Sequence, residues 1–261
     1  MSSEVKTSLD ISNFRQSQRF LDFARNDTRE DVTQHLFSLV HAYQDASAHS
    51  AAMNMAIDEA LLEHATVPSI RFYRWHSPAL SFGYFGKFSD VAIYEAERDL
   101  VRRWTGGGIV FHGDDLTYSI VIPLGDPAFA ESSISIYEKI HRALADALSE
   151  TGQCAVVAGV DDPGAGINDA GYNGHCFLNP VRADVMLNAR KIAGAAQRRT
   201  RRGLLQQGSI QGIELENDLP QRFTQALAAN CSERKLDEEI LDRARKLAQH
   251  KYGTTAWLRK R

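Results

Sequence analysis

A cysteine and a lysine near the middle of the chain have the side chains needed for nucleophilic attack on an acyl group. Cys176 follows His175, and Lys191 comes fifteen positions after Cys176. The thiolate is the nucleophilic form of cysteine, and a nearby ammonium group favours it over the thiol. A lone cysteine in an intracellular protein is more often an inert, small hydrophobic residue. The polar segment at residues 159–174 borders Cys176 and favours the accessible, reactive interpretation.

The residues around Lys191 predict a β-hairpin. Ala183 to Leu187 and Lys191 to Gln197 have the composition of two strands joined by a short turn at residues 188–190. This hairpin places Lys191 near the start of its second strand and can return it to the neighbourhood of Cys176. Without a motif, a lysine after a turn is ordinarily a surface residue.

A glycine run forms the second candidate site. Gly106, Gly107 and Gly108 follow Arg102 and Arg103 and precede an apolar strand start at residues 109–111. Glycines allow a ligand to approach the main chain closely, and guanidinium groups can hold a carboxylate or phosphate at two points. A plain surface turn is the alternative interpretation.

Three ordered blocks resemble the catalytic domain shared by lipoate-protein ligases, octanoyltransferases and, more distantly, biotin-protein ligases. The similarity extends from about Ala42 to Trp257. The blocks are Arg102-Arg103-x-Thr105-Gly106-Gly107-Gly108 followed by His112, then Lys191-Ile-Ala-Gly194-Ala-Ala-Gln197 with Gln207-Gly208-Ser209 after it, and, earlier in the chain, Asn54-Met-Ala-Ile-Asp58-Glu59-Ala-Leu-Leu62.

The resemblance implies an α+β fold of mixed, mostly antiparallel sheets flanked by helices, like the biotin/lipoate protein ligase catalytic domain. Strand and helix patterns are intermixed rather than strictly alternating, which favours the same class. We expect residues 1–37 to form an N-terminal appendage, partly helical, and residues 38–261 to form a single catalytic domain.

The resemblance also implies roles for individual residues. Lys191 matches the lysine that binds the acyl oxygen, where an ammonium group stabilises developing negative charge. Cys176 takes the role of catalytic nucleophile. His112 either orients the substrate or is a satisfied histidine at a strand end. The residues expected to bind substrate are Tyr84, Arg103, Thr105, Gly106, Gly107, Gly108, His112 and Gly194.

Cys176-Phe177 ahead of Pro180, with Lys191 at this spacing, resembles the cysteine-dependent octanoyltransferases. This resemblance implies a protein N-octanoyltransferase of lipoyl-cofactor synthesis. Its donor is octanoyl acyl carrier protein, and its acceptors are lipoyl domains of 2-oxoacid dehydrogenases or the glycine cleavage H protein. It requires no ATP and no metal. Cys154, Cys176 and Cys231 have no metal-type spacing and suggest no disulfide framework.

Two alternatives remain open. A lipoate-protein ligase would use ATP and Mg to form lipoyl-adenylate at Arg103, the glycine run and Lys191, although the ligases' Gly-Arg-Asn-Asp segment is missing. A non-catalytic relative would bind carrier or lipoyl domains through Arg198, Arg199, Arg201 and Arg202, unless these residues form an ordinary solvated loop.

Composition and charge limit the kinds of partner and location that the sequence predicts. A net charge of −3 and a pI near 6.3 provide no bulk attraction for nucleic acid. We find no apolar run of membrane-spanning length and no signal peptide, so we expect no membrane association and a cytoplasmic enzyme.

Several local predictions concern burial and secondary structure. A helix should begin after Ser50, with Asp58 and Glu59 on its solvated face. A second helix should cover residues 133–152. We expect Cys154 to be an inert core thiol, and residues 232–252 to be helical.

Overall fold

The computed structural model describes residues 35–45, 47–150, 152–161, 180–215 and 218–260. Cys176 lies outside these ranges, as does the predicted appendage of residues 1–37 except for its last three residues. Phe37 belongs to the buried core.

Within the described ranges, eight strands form one sheet in the order β11-β1-β2-β6-β10-β9-β8-β7. The pairs β11-β1 and β1-β2 are parallel, and the five pairs from β2-β6 to β8-β7 are antiparallel. The strands are β1 (Val40–Gln44), β2 (Ser69–Tyr73), β6 (Leu116–Pro123), β7 (Ala155–Val157), β8 (Val185–Leu187), β9 (Arg190–Arg199), β10 (Gly203–Ile210) and β11 (Cys231–Arg234).

A smaller sheet has the order β4-β3-β5, with β3 (Ala79–Phe82) between β4 (Asp99–Arg102) and β5 (Ile109–His112). The described helices are α1 (Ala51–His64), α2 (Ser133–Ser149), α3 (Leu219–Leu227), α4 (Glu238–Leu247) and α5 (Thr255–Leu258). The predicted class, α+β with mostly antiparallel sheets, is confirmed. In the part of the chain that the structure describes, no helix has the length and apolar character needed to cross a membrane.

Helix α1 begins at the predicted cap, where the Ser50 side chain accepts a hydrogen bond from the Met53 amide. The expectation that Asp58 and Glu59 face solvent is wrong, because α1 is buried on most of its circumference. Asp58 accepts hydrogen bonds from side chains on three strands, and Glu59 accepts them from the segment after α4. These donors are Arg71, Tyr73, Ser119 and Gln207 for Asp58, and Lys251 and Tyr252 for Glu59.

Helix α2 buries the apolar stripe that its 3.6-residue periodicity predicts, including Ile136, Ile140 and Leu144. Two other local predictions are wrong. Cys154 is exposed rather than buried in the core. The predicted helix over residues 232–252 is wrong at its start, where residues 231–234 form the edge strand β11, parallel to β1, and satisfy backbone groups of that strand although their side chains are polar. From Glu238 the segment is helical, with α4 continuing into a π-helical turn at Ala248–Tyr252.

Candidate functional site

A narrow, apolar cleft with a cavity volume of about 30 Å³ lies between α1, the small sheet and the β9-β10 hairpin. Of the residues predicted to bind substrate, Arg103, His112 and Gly194 line this cleft. The apolar and glycine lining consists of Met55, Tyr73, Trp75, Val110, Gly194, Ala195, Ala196 and Gly208, and the polar lining of Ser81, Arg103, His112, Thr117, Gln207 and Ser209.

Lys191 is not among the residues that line the cleft, but an irregularity in strand pairing brings its side chain beside Gly194, which does line it. Met186 of β8 pairs with Lys191, but its neighbour Val185 pairs with Ala193. Strand β9 therefore contains one extra residue, Ile192, between the two pairs. A bulge of this kind reverses the alternation of side chains. It places Lys191 on the same face as Gly194, where the Lys191 Nζ lies only 2.7 Å from the position that a Gly194 Cβ would occupy.

The Lys191 ammonium forms a buried ion pair with Asp184, with 2.7 Å between Nζ and Oδ2. Asp184 also accepts hydrogen bonds from the Tyr137 hydroxyl at 2.7 Å and from the Val181 amide at 2.8 Å. Burial, followed by the nearby Asp184 charge, raises the pKa of Tyr137 well above its ordinary value, so Tyr137 remains a neutral donor. The carboxylate is therefore held from three sides.

The backbone that carries Asp184 is anchored from α2. Ala183 has a left-handed φ of 67°, an unfavourable conformation for a residue with a Cβ. The His141 ring bonds its carbonyl through Nδ1, and Nε2 lies 2.9 Å from the Tyr118 hydroxyl. Burial lowers the pKa of His141 to about 4. The neutral ring therefore donates to Ala183 and accepts from Tyr118.

Arg103 shapes the glycine loop, residues 106–108. Its guanidinium donates to the carbonyls of Gly106 at 3.0 Å and Gly108 at 2.7 Å. Between them Gly107 adopts a positive φ of 83°, which favours glycine. The loop rests on Gly83, where an added Cβ would lie 2.1 Å from the Gly107 carbonyl oxygen.

The neighbouring Arg102 does not contribute to a ligand site. Its guanidinium donates to backbone carbonyls of two segments, which joins β4 to the C-terminal helix. The acceptors are the carbonyls of Tyr84, Gly86, Trp257, Leu258 and Lys260. Arg102 therefore lies outside the lining of the cleft, whereas Arg103 is part of it.

His112 lies in a directional hydrogen-bond chain. The Arg103 guanidinium donates to the Ser81 hydroxyl, which lies 2.7 Å from His112 Nε2, and His112 Nδ1 lies 2.7 Å from Asp115. Trp75 stacks on the imidazole, with 4.0 Å between the ring centroids. Burial lowers the pKa of His112, and the bond to Asp115 opposes this shift only in part. The neutral ring then accepts from Ser81 and donates to Asp115.

The remaining predicted residues surround the cleft. Thr105 donates to Gln207 of the lining at 2.8 Å. Tyr84 lies outside the cleft, where its hydroxyl accepts from Lys260 at 2.6 Å. The four arginines of the predicted patch contact different parts of the protein. Arg198 stacks over Tyr84 and Trp104, and Arg199 donates to the carbonyls of Phe129 and Glu131. Arg202 pairs with Glu63, and Arg201 is exposed.

Sequence reasoning missed Asp184, Tyr137, Ser81 and Asp115. For Asp184 one signal was available, since an acidic residue between apolar residues at the start of a predicted strand is unusual. Tyr137 carried no comparable signal, because an aromatic residue on an amphipathic helix is ordinarily part of the core.

Comparison with known proteins gives a consistent result. A family model described as the lipoyl protein ligase A/B catalytic domain matches residues 50–251. Octanoyltransferase LipM of Oceanobacillus iheyensis is 38% identical over 177 residues, which cover 65% of this chain and 63% of that protein. Octanoyltransferase LipM of Symbiobacterium thermophilum is 36% identical over 178 residues, covering 65% and 63%. The match thus spans less than two thirds of the length of these two relatives.

Solved structures support the fold. A T. acidophilum protein solved with bound lipoic acid superposes with a TM-score of 0.66 at 21% identity, covering 85% of this chain and 98% of the other. Lipoate-protein ligase A bound with ATP gives a TM-score of 0.65 at 21% identity, with the same coverage. At this level of identity the likeness establishes the architecture.

Proposed function

Because this chain belongs to the lipoyl protein ligase A/B catalytic domain family, we propose that it is a protein N-octanoyltransferase of lipoyl-cofactor synthesis. The observation that carries the proposal is the position of Lys191, whose ammonium is fixed by Asp184 beside Gly194 of an apolar cleft. The apolar lining of the cleft is compatible with a saturated acyl chain, and the ammonium with its carbonyl oxygen. The matched relatives are octanoyltransferases by name.

In the first half-reaction, the Cys176 thiolate attacks the carbonyl carbon of an octanoyl thioester on acyl carrier protein. The carbonyl oxygen becomes an oxyanion, which Lys191 stabilises by hydrogen bonding and charge. Collapse of the intermediate expels the carrier thiolate, which takes up a proton, and leaves the octanoyl chain on Cys176 as a thioester.

In the second half-reaction, the amine of an acceptor lysine attacks this thioester. The carbon–nitrogen bond forms, the carbon–sulfur bond breaks, and the amine loses its proton as the Cys176 thiol is regenerated. The acceptor is a lipoyl domain or the H protein. The thioester is already an activated acyl group, so this reaction uses neither ATP nor a metal.

Intact-mass measurement after incubation with octanoyl carrier protein tests the proposal. We expect one octanoyl adduct that hydroxylamine removes and that passes to an added lipoyl domain. Cys154→Ala and Cys231→Ala are matched controls, because both thiols are exposed, and both variants should retain the adduct. Cys176→Ala should lose it. Acceptor octanoylation that persists in Cys176→Ala would refute the covalent mechanism.

An ATP-dependent lipoate-protein ligase is the second candidate, favoured by the fold shared with an ATP-bound ligase. The cradle formed by Arg103 and the glycine loop would hold the nucleotide, and Lys191 would contact the acyl carboxyl group. This candidate predicts lipoate-dependent pyrophosphate release that survives Cys176→Ala. The same variants therefore separate the two enzymes.

A further inference from the structure

The ion pair with Asp184 places a carboxylate beside Lys191, the cation that the proposed function assigns to the acyl oxygen. The Lys191 and Asp184 side chains are 2% and 0% exposed, and their charged atoms are 2.7 Å apart. Asp184 Oδ1 also faces Gly194 of the cleft lining, 3.1 Å from the position of an added Cβ. A ligand that reaches Lys191 beside Gly194 therefore meets a carboxylate next to the ammonium.

This arrangement affects anionic and neutral ligands differently. A free carboxylate must lose its hydration on entering and then share one ammonium with Asp184 at short range, where like charges repel. A thioester carbonyl brings no charge and needs only a hydrogen bond. The oxyanion of the reaction forms inside the cleft, so it does not incur the cost of removing an anion from water.

Two basic groups line the cleft, Arg103 and His112. Arg103 faces the same space, but its guanidinium donates to Ser81 and to two carbonyls of the glycine loop. His112 is neutral and bonded to the Asp115 carboxylate.

We propose that Asp184 is a specificity-determining residue that makes the cleft select neutral acyl thioesters and reject free fatty carboxylates. The inference rests on the proposed function, because it assigns the acyl group to this cleft. Asp184 also positions Lys191. A change in ligand selectivity would show that the negative charge of Asp184 matters beyond this structural role.

Two probes that differ in charge but hardly in shape test this inference: octanoate and octanamide. Their dissociation constants for the full chain are measured by titration calorimetry at neutral pH. The wild-type protein should bind octanamide at least as tightly as octanoate. Asp184→Asn should shift the octanoate-to-octanamide affinity ratio toward octanoate by tenfold or more.

Three variants separate charge from packing. Asp184→Glu retains the charge and should leave the preference for octanamide. Tyr137→Phe removes a hydrogen bond to Asp184 without removing charge and should also leave it. Glu63→Gln removes a carboxylate from an ion pair with Arg243, whose residues do not line the cleft, and should not change the ratio.

The inference is overturned if the wild-type protein prefers octanoate, or if Asp184→Asn changes both affinities equally. If Asp184→Asn does not fold, a preference for octanoate in Asp184→Glu still contradicts it. Failure to bind either probe would overturn both this inference and the proposed function. A shifted ratio without an adduct on Cys176 would refute the octanoyltransferase mechanism alone, and an adduct with an unchanged ratio would refute the selectivity role alone.

Discussion

Substitution of Gly194 by alanine should disable the site while leaving the fold intact. An added Cβ would lie 2.5 Å from Lys191 Cε and 2.7 Å from Nζ, whereas ordinary contacts begin near 3.4 Å. The end of the lysine side chain must therefore move by about 0.9 Å. This movement displaces the ammonium from the position that the proposed function assigns to the acyl oxygen. A displacement near 1 Å at a reacting group can lower the rate about 100-fold.

The same substitution should change stability little, because the obstructing atoms are the far end of a flexible side chain. Alanine in a strand gains roughly 0.5–1 kcal/mol over glycine, and an off-rotamer lysine costs roughly the same. We therefore expect the free energy of unfolding to stay within about 1 kcal/mol of the wild type.

Single-turnover transfer from octanoyl carrier protein, paired with urea denaturation, measures both quantities. Gly125→Ala is the matched control: a Cβ there meets no atom within 4 Å, and its φ is not positive. It should retain the wild-type rate. A Gly194→Ala rate within threefold of wild type, or a rate loss explained by unfolding, would refute the reasoning about Lys191.

Three further predictions concern the supporting structure. The pKa of His141 is about 4 in the folded protein and about 6.5 in the unfolded chain, so the folded state binds fewer protons. The contribution of His141 to stability is therefore complete above pH 6.5 and is lost on acidification. Urea titrations should show the free energy of unfolding fall by about 3 kcal/mol between pH 6.5 and 4, and this fall should be absent in His141→Gln. Arg102→Lys should lower the free energy of unfolding by about 3 kcal/mol, since an ammonium cannot reach the carbonyls of both segments, and an unchanged melting temperature would contradict this. Gly208→Ala places a Cβ 2.2 Å from the buried Tyr118 ring and should lower the free energy of unfolding by about 3 kcal/mol or more, unlike Gly194→Ala. Equal free energies of unfolding for the two variants would contradict this and show that the ring can move.

Much of the architecture follows from local patterns. The α2 stripe has a periodicity that decides which face of the helix is buried. The cap at Ser50 fixes the start of α1 for the same local reason. These features depend on neighbouring residues in the chain, which is why the sequence alone predicts them.

The features that could not be predicted depend on contacts between distant segments. Asp58 is buried because Arg71, Gln207 and other donors converge on it from separate strands. The bulge that turns Lys191 toward Gly194 is a property of pairing with β8, not of the β9 sequence. Strand β11 has polar side chains and exists because β1 offers an open edge.

The site was predicted to the extent that it coincides with motifs. Lys191, Gly194 and Arg103 were identified with their block, whereas Asp184 has no motif of its own and is recognised from its ion pair. The proposed roles of Cys176 and Lys191 remain predictions for experiment.

A crystal structure of the octanoyl-enzyme, trapped with octanoyl carrier protein in the absence of acceptor, tests the central proposal most directly. We expect an octanoyl thioester on Cys176, its carbonyl oxygen within hydrogen-bond distance of Lys191 Nζ and its chain in the cleft along Gly194 and Ala196. An acyl chain attached to another residue, or a carbonyl oxygen directed away from Lys191, would contradict it.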